Sequence, residues 1–397
     1  MQRYVGTVAR GIRMPIMRAG DALAEMVVQE VLKAAETEGF AIRDRDIVGI
    51  TESIVARTQG NYATIDAIAA DLKSKFGGDR LGVVFPILSR NRYAILLKGI
   101  ARSTRHIVLQ FSYPSDEVGN QLVEPDLVDE HDIDPWTDTL TESQFKEVFG
   151  NSRHPFTGID YVTYYRSLIE DEGAECTILF SNQPKTILDY TNRVLACDIH
   201  TRKRTKRQLI NAGAEIVFGL DEILSVSVNG SGYNPEYGLL GSNKATEETV
   251  KLFPRDCQPL VERIQQLFRK KTGKTVEVLI YGDGAFKDPV GKIWELADPV
   301  VSPAFTAGLA GTPNELKLKY LADNQFAGLS GSALKEAIVK QIHDKKGSLV
   351  GAMESQGTTP RRLTDLIGSL CDLTSGSGDK GTPVVYIQGY FDSFASE

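Results

Sequence analysis

The chain of 397 residues contains only four cysteines and five histidines, and it has no run of 18 consecutive apolar residues. The missing apolar run argues against a membrane-spanning helix. Cys176, Cys197, Cys257 and Cys371 are widely spaced, which favours free thiols over a disulfide or zinc framework. The first residues lack the apolar segment of a secretory signal. We therefore expect a soluble cytoplasmic protein.

Several standard catalytic and nucleotide-binding motifs are also missing. The sequence has no Walker P-loop and no Gly-x-Ser-x-Gly segment, which disfavours a Walker-type nucleotide site and an α/β-hydrolase triad. Residues 376–381 match the spacing of the dinucleotide fingerprint, but they precede a predicted strand instead of following one. A dinucleotide-dependent oxidoreductase is therefore a weak alternative. Cys197 and His200 could contact a metal, although a structural role is favoured.

The formal net charge is −7, but the acidic residues are unevenly distributed. Residues 113–142 contain ten acidic residues and neither Lys nor Arg, so the rest of the chain carries +3. This balance disfavours a nucleic-acid binder. Prolines and like charges predict a surface excursion over 113–142. This segment is either a solvated loop or a selector for a cationic partner, and the solvated loop is favoured. The basic run 202–207 could bind an anion, but the start of a solvated helix is favoured.

Helical and strand-like patterns alternate along the chain and predict an α/β (α+β mixed) fold. Strands are predicted over 46–51, 81–86, 106–111, 176–180, 214–218, 276–281 and 383–388. Helices are predicted from residue 20 and over 64–76, 90–101, 161–170, 185–195, 205–212, 246–253, 258–271 and 359–370. We divide the chain into a first core part (1–112), an inserted acidic loop and α/β subdomain (113–215), a second core part (216–345) and a C-terminal extension (346–397).

The predicted strand 276–281 ends at Gly282-Asp283-Gly284. A carboxylate at the carboxyl end of a strand is a recurrent ligand for Mg²⁺ and phosphate-bearing molecules, and glycines let such ligands approach the backbone. A plain turn is the structural alternative, because Gly and Asp are common turn residues.

Two further segments combine glycine with small polar or basic residues. In the stretch 230–244, Ser242, Asn243 and Lys244 precede the predicted helix 246–253, where backbone N–H groups favour anions; simple helix capping explains the pattern equally well. After the strand 46–51, Arg57 and Gly60 could hold a phosphate or carboxylate. An ordinary surface arginine is the alternative there.

Together these segments resemble the coenzyme F-420 gamma-glutamyl ligases. The resemblance covers roughly residues 1–112 and 216–340. It is carried by 46–60, by Gly238-Leu239-Leu240-Gly241-Ser242-Asn243, by 278–284 and by 314–323. Leu240 stands where the family has a metal-binding aspartate, Gly284 replaces a threonine, and Arg57 and Gln59 replace a lysine and a glutamate. The resemblance implies a gamma-glutamyl-ligase-like core in two parts, interrupted by the inserted subdomain.

The resemblance also implies an activity. GTP (or ATP) would phosphorylate a small-molecule carboxylate with the help of Mg²⁺ or Mn²⁺, and an amine would attack the acyl phosphate. A homodimer is implied, with neither nucleic acid nor membrane as a partner. The site residues that the resemblance implies fall into three groups. They are the catalytic residues Asp283, Arg57 and Lys244, the cofactor-binding residues Ser53, Gly60, Gly241, Ser242, Asn243, Gly282 and Gly284, and the metal ligand Asp283, with Asp288 and Glu236 as nearby carboxylates that could replace the lost family aspartate.

The rival hypothesis is a non-catalytic protein of the same fold that binds a nucleotide or another ligand for regulation. Leu240 favours this alternative, because an apolar side chain cannot replace a metal-binding carboxylate. Glu236 or Asp288 would have to compensate for the lost ligand. Nucleotide-dependent phosphate release in the presence of a carboxylate and an amine distinguishes the ligase from the binding protein.

Overall fold

The structure is a computed structural model that describes residues 4–150, 152–155, 157–284, 297–349, 351–355, 361–375 and 378–396. The expected metal ligand Asp288 and the start of the glycine-rich segment 376–381 lie outside the described residues. Helices and strands alternate along most of the described chain and build three sheets. The mixed α/β class that the sequence predicts is confirmed.

Fourteen strands lie in the described residues, and they are numbered in chain order. They are β1 (Val8–Ile12), β2 (Ile47–Thr51), β3 (Tyr62–Thr64), β4 (Arg80–Val84), β5 (His106–Phe111), β6 (Leu140–Thr141), β7 (Glu175–Phe180), β8 (Arg193–Ala196), β9 (Ile216–Gly219), β10 (Asn243–Lys244), β11 (Thr249–Lys251), β12 (Glu277–Tyr281), β13 (Ala304–Phe305) and β14 (Val384–Gln388).

The α-helices of the described ranges are numbered in the same way. They are α1 (Leu23–Glu38), α2 (Glu52–Thr58), α3 (Ile65–Phe76), α4 (Tyr93–Arg102), α5 (Pro125–Glu130), α6 (Glu142–Phe149), α7 (Tyr161–Asp171), α8 (Arg202–Asn211), α9 (Cys257–Thr272), α10 (Leu318–Tyr320), α11 (Gly331–Asp344) and α12 (Leu363–Ser375). Within the part of the chain that the structure describes, no helix is both long and apolar enough to cross a membrane.

A five-stranded sheet with the order β1-β14-β2-β12-β13 forms the first lobe. Only β2 and β12 run parallel in it, and the other neighbours are antiparallel. Strand β2 is a continuous apolar run because both faces are covered: Val48 and Ile50 pack with α1 and α9, and Ile47 packs with α12. Because β14 lies between β1 and β2, the expected C-terminal extension, 346–397, contributes a strand to the interior of this sheet.

A six-stranded sheet with the order β6-β7-β5-β4-β8-β9 forms the second lobe. All neighbours are parallel except the edge strand β6. The chain enters at β4, builds outward through β5 to β7, and then returns to the other side of β4 through β8 and β9. This sheet therefore takes strands from both sides of the expected boundary at residues 112 and 113. In such sheets ligands bind at the carboxyl edge where the strand order reverses, here between β4 and β8.

A small antiparallel sheet, β10-β11-β3, lies between the lobes in sequence and shows where local prediction fails. The helix predicted over 246–253 is wrong, because Thr249–Lys251 form β11. The β-branched residues Thr249 and Val250 suit extended backbone, and their pairing with the distant β3 is invisible to local periodicity. The helix predicted over 185–195 is likewise replaced by a 3-10 helix, Pro184–Asp189, and by β8.

The acidic segment 113–142 is fixed to the second lobe by two carboxylates. Buried Asp116 accepts hydrogen bonds from the backbone N–H groups of Leu88, at 2.8 Å, and of Val118, at 3.1 Å. Glu117 accepts the N–H groups of three successive residues before α8, 199 to 201, at 2.5 to 2.7 Å. The excursion is therefore anchored across β4 and β8 and is more than a solvated loop.

The packing of α12 on β2 gives a test of the fold. A Cβ at Gly49 would overlap the Sγ of Cys371, so Gly49→Ala forces α12 away from the sheet. We expect Gly49→Ala to lower the free energy of unfolding by about 1–3 kcal/mol, the usual cost of overpacking. Urea denaturation measures this change. Gly328→Ala is the matched control, because that exposed glycine has no atom within 4 Å of its added Cβ; equal stability of the two variants would contradict the packing.

Candidate active site

The carboxyl ends of β2 and β12 bring two of the predicted segments together. The strands are parallel neighbours, and Thr51 lies opposite Tyr281. The residues that follow, Glu52-Ser53 on one strand and 282–284 on the other, therefore share one edge of the five-stranded sheet. This is the arrangement in which α/β proteins present polar side chains and backbone N–H groups to ligands.

An arginine from the second lobe reaches this edge. Arg92 precedes α4, at the end of the loop that follows β4, and its guanidinium forms ion pairs with Asp283 and Asp298. The other oxygen of Asp298 accepts the backbone N–H of Asp283 at 2.9 Å. Asp298 is almost fully buried and Asp283 is about 30% exposed, so the cluster opens to solvent on the Asp283 side.

The glycines predicted beside Asp283 keep this edge compact. A Cβ at Gly282 would overlap the carboxylate of Asp298. The backbone N–H of Gly284 donates to the Asp372 carboxylate at 3.2 Å. Burial raises the pKa of Asp372, a tendency that the Gly284 hydrogen bond opposes. Gly282 therefore allows the Asp298 carboxylate to approach the strand end closely, and Gly284 contributes a backbone N–H to a second carboxylate.

A second charged pair lies on the β2 side of the edge. Lys251 on β11 places its Nζ 3.3 and 3.4 Å from the two oxygens of Glu52 and 2.7 Å from the Oγ of Ser53. Glu52 and Lys251 are both buried. Burial raises the pKa of Glu52 to about 7; Lys251 opposes this rise and Asp298 adds to it. Ser53, a predicted cofactor-binding residue, thus lies beside a cation that the sequence analysis missed.

The glycine-rich segment 230–244 lies beside both charged groups, the ion pairs of Arg92 and the pair of Lys251 with Glu52. Gly241 has a left-handed backbone (φ 69°) and packs so closely that a Cβ would lie 2.8 Å from the Cδ of Pro299. Ser242 is buried, and within the described residues its Oγ has no hydrogen-bond partner. Ser242 and Arg92 line one small cavity of about 20 Å³. Asn243 lies opposite Lys251 in the β10–β11 pair.

The two predicted basic residues direct their charges elsewhere. Arg57 is exposed, and its Nε donates to the carbonyl oxygen of Met17 at 2.6 Å. Lys244 pairs with the exposed Glu247. Gly60 follows the end of α2 in a left-handed conformation (φ 61°), which explains the glycine structurally. Because β11 replaces the predicted helix 246–253, Ser242, Asn243 and Lys244 do not lie at a helix N-terminus.

The described residues do not form a divalent-metal site without further ligands. Over the described ranges, no group of three or more His, Cys, Asp or Glu side chains could hold a metal ion. Leu240 is buried in the apolar core and offers no oxygen. Glu236 is exposed, on a turn where its N–H donates to the Oδ1 of Asn234. Asp283 and Asp298 are instead paired with Arg92.

The buried carboxyl of Glu52 predicts a pH dependence of stability. Its pKa rises from 4.5 to about 7 in the folded chain, so between these values the folded state keeps a proton that the unfolded state has lost. The free energy of unfolding should therefore fall as the pH rises from about 5 to 7, on the order of 1 kcal/mol per pH unit at most. Urea denaturation at several pH values measures this slope. Glu52→Gln should flatten it, and an identical slope in both proteins would contradict the burial argument.

A comparison with known families agrees with this architecture. The model of the family described as F420-0:Gamma-glutamyl ligase matches residues 11–389. The match includes the whole six-stranded sheet, the five-stranded sheet except residues 8–10 of β1, and every residue of the edge described above. No curated protein matches the chain. Because the family match spans nearly the whole sequence, the chain belongs to the F420-0:Gamma-glutamyl ligase family.

Proposed function

We propose that the chain is a nucleotide-dependent amide ligase that activates a small-molecule carboxylate as an acyl phosphate. Membership of a gamma-glutamyl ligase family supports ligase chemistry. The observation that carries the nucleotide part is the shared edge of β2 and β12, where Arg92 pairs with the glycine-flanked Asp283 and Lys251 contacts Glu52 and Ser53. Cations beside glycine backbone, which a ligand can approach closely, suit a phosphate-bearing substrate.

The proposed reaction has two steps. A carboxylate oxygen of the acceptor attacks the γ-phosphorus of GTP (or ATP), the bond to the β-phosphate oxygen breaks, and an acyl phosphate forms with release of the nucleoside diphosphate. An uncharged amine then attacks the acyl carbon, the carbon–oxygen bond to phosphate breaks, and the amine loses a proton as the amide forms. Both steps move negative charge among phosphate oxygens, so fixed cations nearby lower the barrier.

We assign the phosphate-contacting role to Lys251 and Arg92 in place of Lys244 and Arg57. Lys251 is held by Glu52 and Ser53 at the end of β2, whereas Lys244 and Arg57 are exposed and engaged away from Asp283. Ser242 is a candidate to contact the acceptor carboxylate, since its buried hydroxyl has no hydrogen-bond partner among the residues that the structure describes. The homodimer implied by the family resemblance remains part of this proposal.

Mg²⁺ or Mn²⁺ enters the proposal as the counter-ion of the nucleotide. Mg²⁺ commonly binds through one or two carboxylates and completes its shell with phosphates and water. Asp283 is the most exposed carboxylate of the Arg92 cluster and is the residue proposed to meet the metal–nucleotide complex. A bound metal would offset the charge of the phosphates.

Calorimetric titration of GTP and ATP, with and without Mg²⁺ or Mn²⁺, tests this assignment. We expect metal to raise the nucleotide affinity of the wild-type chain at least tenfold, about 1.4 kcal/mol. In Asp283→Asn the gain should shrink to threefold or less. Glu236→Gln, a loss of an exposed carboxylate, is the matched control and should keep the wild-type gain. The same metal effect in the wild type and in Asp283→Asn would remove Asp283 from the nucleotide site.

A further inference from the structure

Asp283 and Asp298, fifteen positions apart in the chain, converge on one arginine. Asp283 lies two residues after the end of β12, and Asp298 lies beside the segment that returns to β13. Each carboxylate pairs with a different terminal nitrogen of Arg92. Asp298 is about 2% exposed, so its charge needs a close partner, because an unpaired buried carboxylate is strongly destabilising.

Two more carboxyl groups border this pair. Asp372 holds the N–H of Gly284, the residue next to Asp283. Glu52 is buried at the end of the neighbouring strand with its own cation, Lys251. A concentration of carboxylate oxygens is the donor set that hard divalent cations select. Within the described residues these carboxyl groups do not form a metal-binding group, and the cation that pairs with Asp283 and Asp298 is a guanidinium.

We infer that Arg92 is a built-in cation of the ligase site, occupying the position between Asp283 and Asp298 that a divalent metal would otherwise take. The protein without nucleotide then has no divalent-metal site between these residues. Removing the guanidinium takes away the cation that both carboxylates share, which favours uptake of a proton or of a metal ion there.

The geometry suits arginine better than lysine. A guanidinium is planar and stays charged, and its two terminal nitrogens address two carboxylates at once, whereas an ammonium is a single compact charge. Arg92 also belongs to the loop after β4, at the edge where the strand order of the six-stranded sheet reverses. The second lobe therefore supplies a fixed cation to the first, and this cation cannot be removed by a chelator.

Titration with Mn²⁺ alone, followed by electron paramagnetic resonance of the free ion, tests the inference without nucleotide or substrate. We expect Arg92→Ala to bind one Mn²⁺ at least tenfold more tightly than the wild type. The double variant Arg92→Ala/Asp298→Asn should lose that gain, because one of the two carboxylates is gone. Arg263→Ala is the matched control: it removes a surface arginine paired with Glu25 and should leave Mn²⁺ affinity unchanged.

Two results would overturn the inference. In the first, the wild type binds Mn²⁺ as tightly as Arg92→Ala does, and Asp298→Asn loses this binding. In the second, Arg92→Ala shows no gain of Mn²⁺ binding. A thermal melt confirms that each variant is folded. If Arg92→Ala does not fold, Arg92→Gln, which keeps the length and an N–H donor but loses the charge, should show the same gain in smaller measure. Because the readout is metal binding alone, this inference can fail while the proposed ligase activity stands, and the reverse is equally possible.

Discussion

The contact of Arg92 with Asp283 and Asp298 is the interaction on which the arrangement of the candidate site depends. It joins the loop after β4, in the six-stranded sheet, to the end of β12, in the five-stranded sheet. Without it, buried Asp298 would lose its cation, and the edge formed by β2 and β12 would lose these ion pairs with the second lobe. The candidate site is therefore built from both lobes of this chain, with Asp283 and Asp298 from one and Arg92 from the other.

The sequence predicts the part of the site that follows from local chemistry. A buried apolar strand followed by Gly-Asp-Gly identifies Asp283, and the strand before Glu52 and Ser53 is recognised in the same way. Arg92 and Asp298 could not be found like this, because nothing near either residue shows that they meet. Lys251 was missed for a different reason. Its segment pairs with the distant β3. This tertiary pairing makes the segment a strand, although local periodicity suggests a helix.

Domain organisation shows the same limit of local patterns. The acidic composition of 113–142 marks a boundary in charge, yet the six-stranded sheet begins earlier, at β4, and continues through β9. The segment is also anchored, since Asp116 and Glu117 bind backbone N–H groups of the loops that follow β4 and β8. A run of like charges therefore predicts that most of its residues are exposed. Individual carboxylates in it can still fix the loops where the strand order of the sheet reverses.

The central claim is that the nucleotide binds at the shared carboxyl edge of β2 and β12. A crystal structure of the chain with a non-hydrolysable GTP analogue and Mg²⁺ tests it most directly. We expect phosphate oxygens within hydrogen-bonding distance of the Lys251 ammonium and the Arg92 guanidinium, beside Gly282 and Asp283. An analogue bound instead at the loops after β4 and β8, with residues 52–53 and 282–284 free of ligand, would contradict the account.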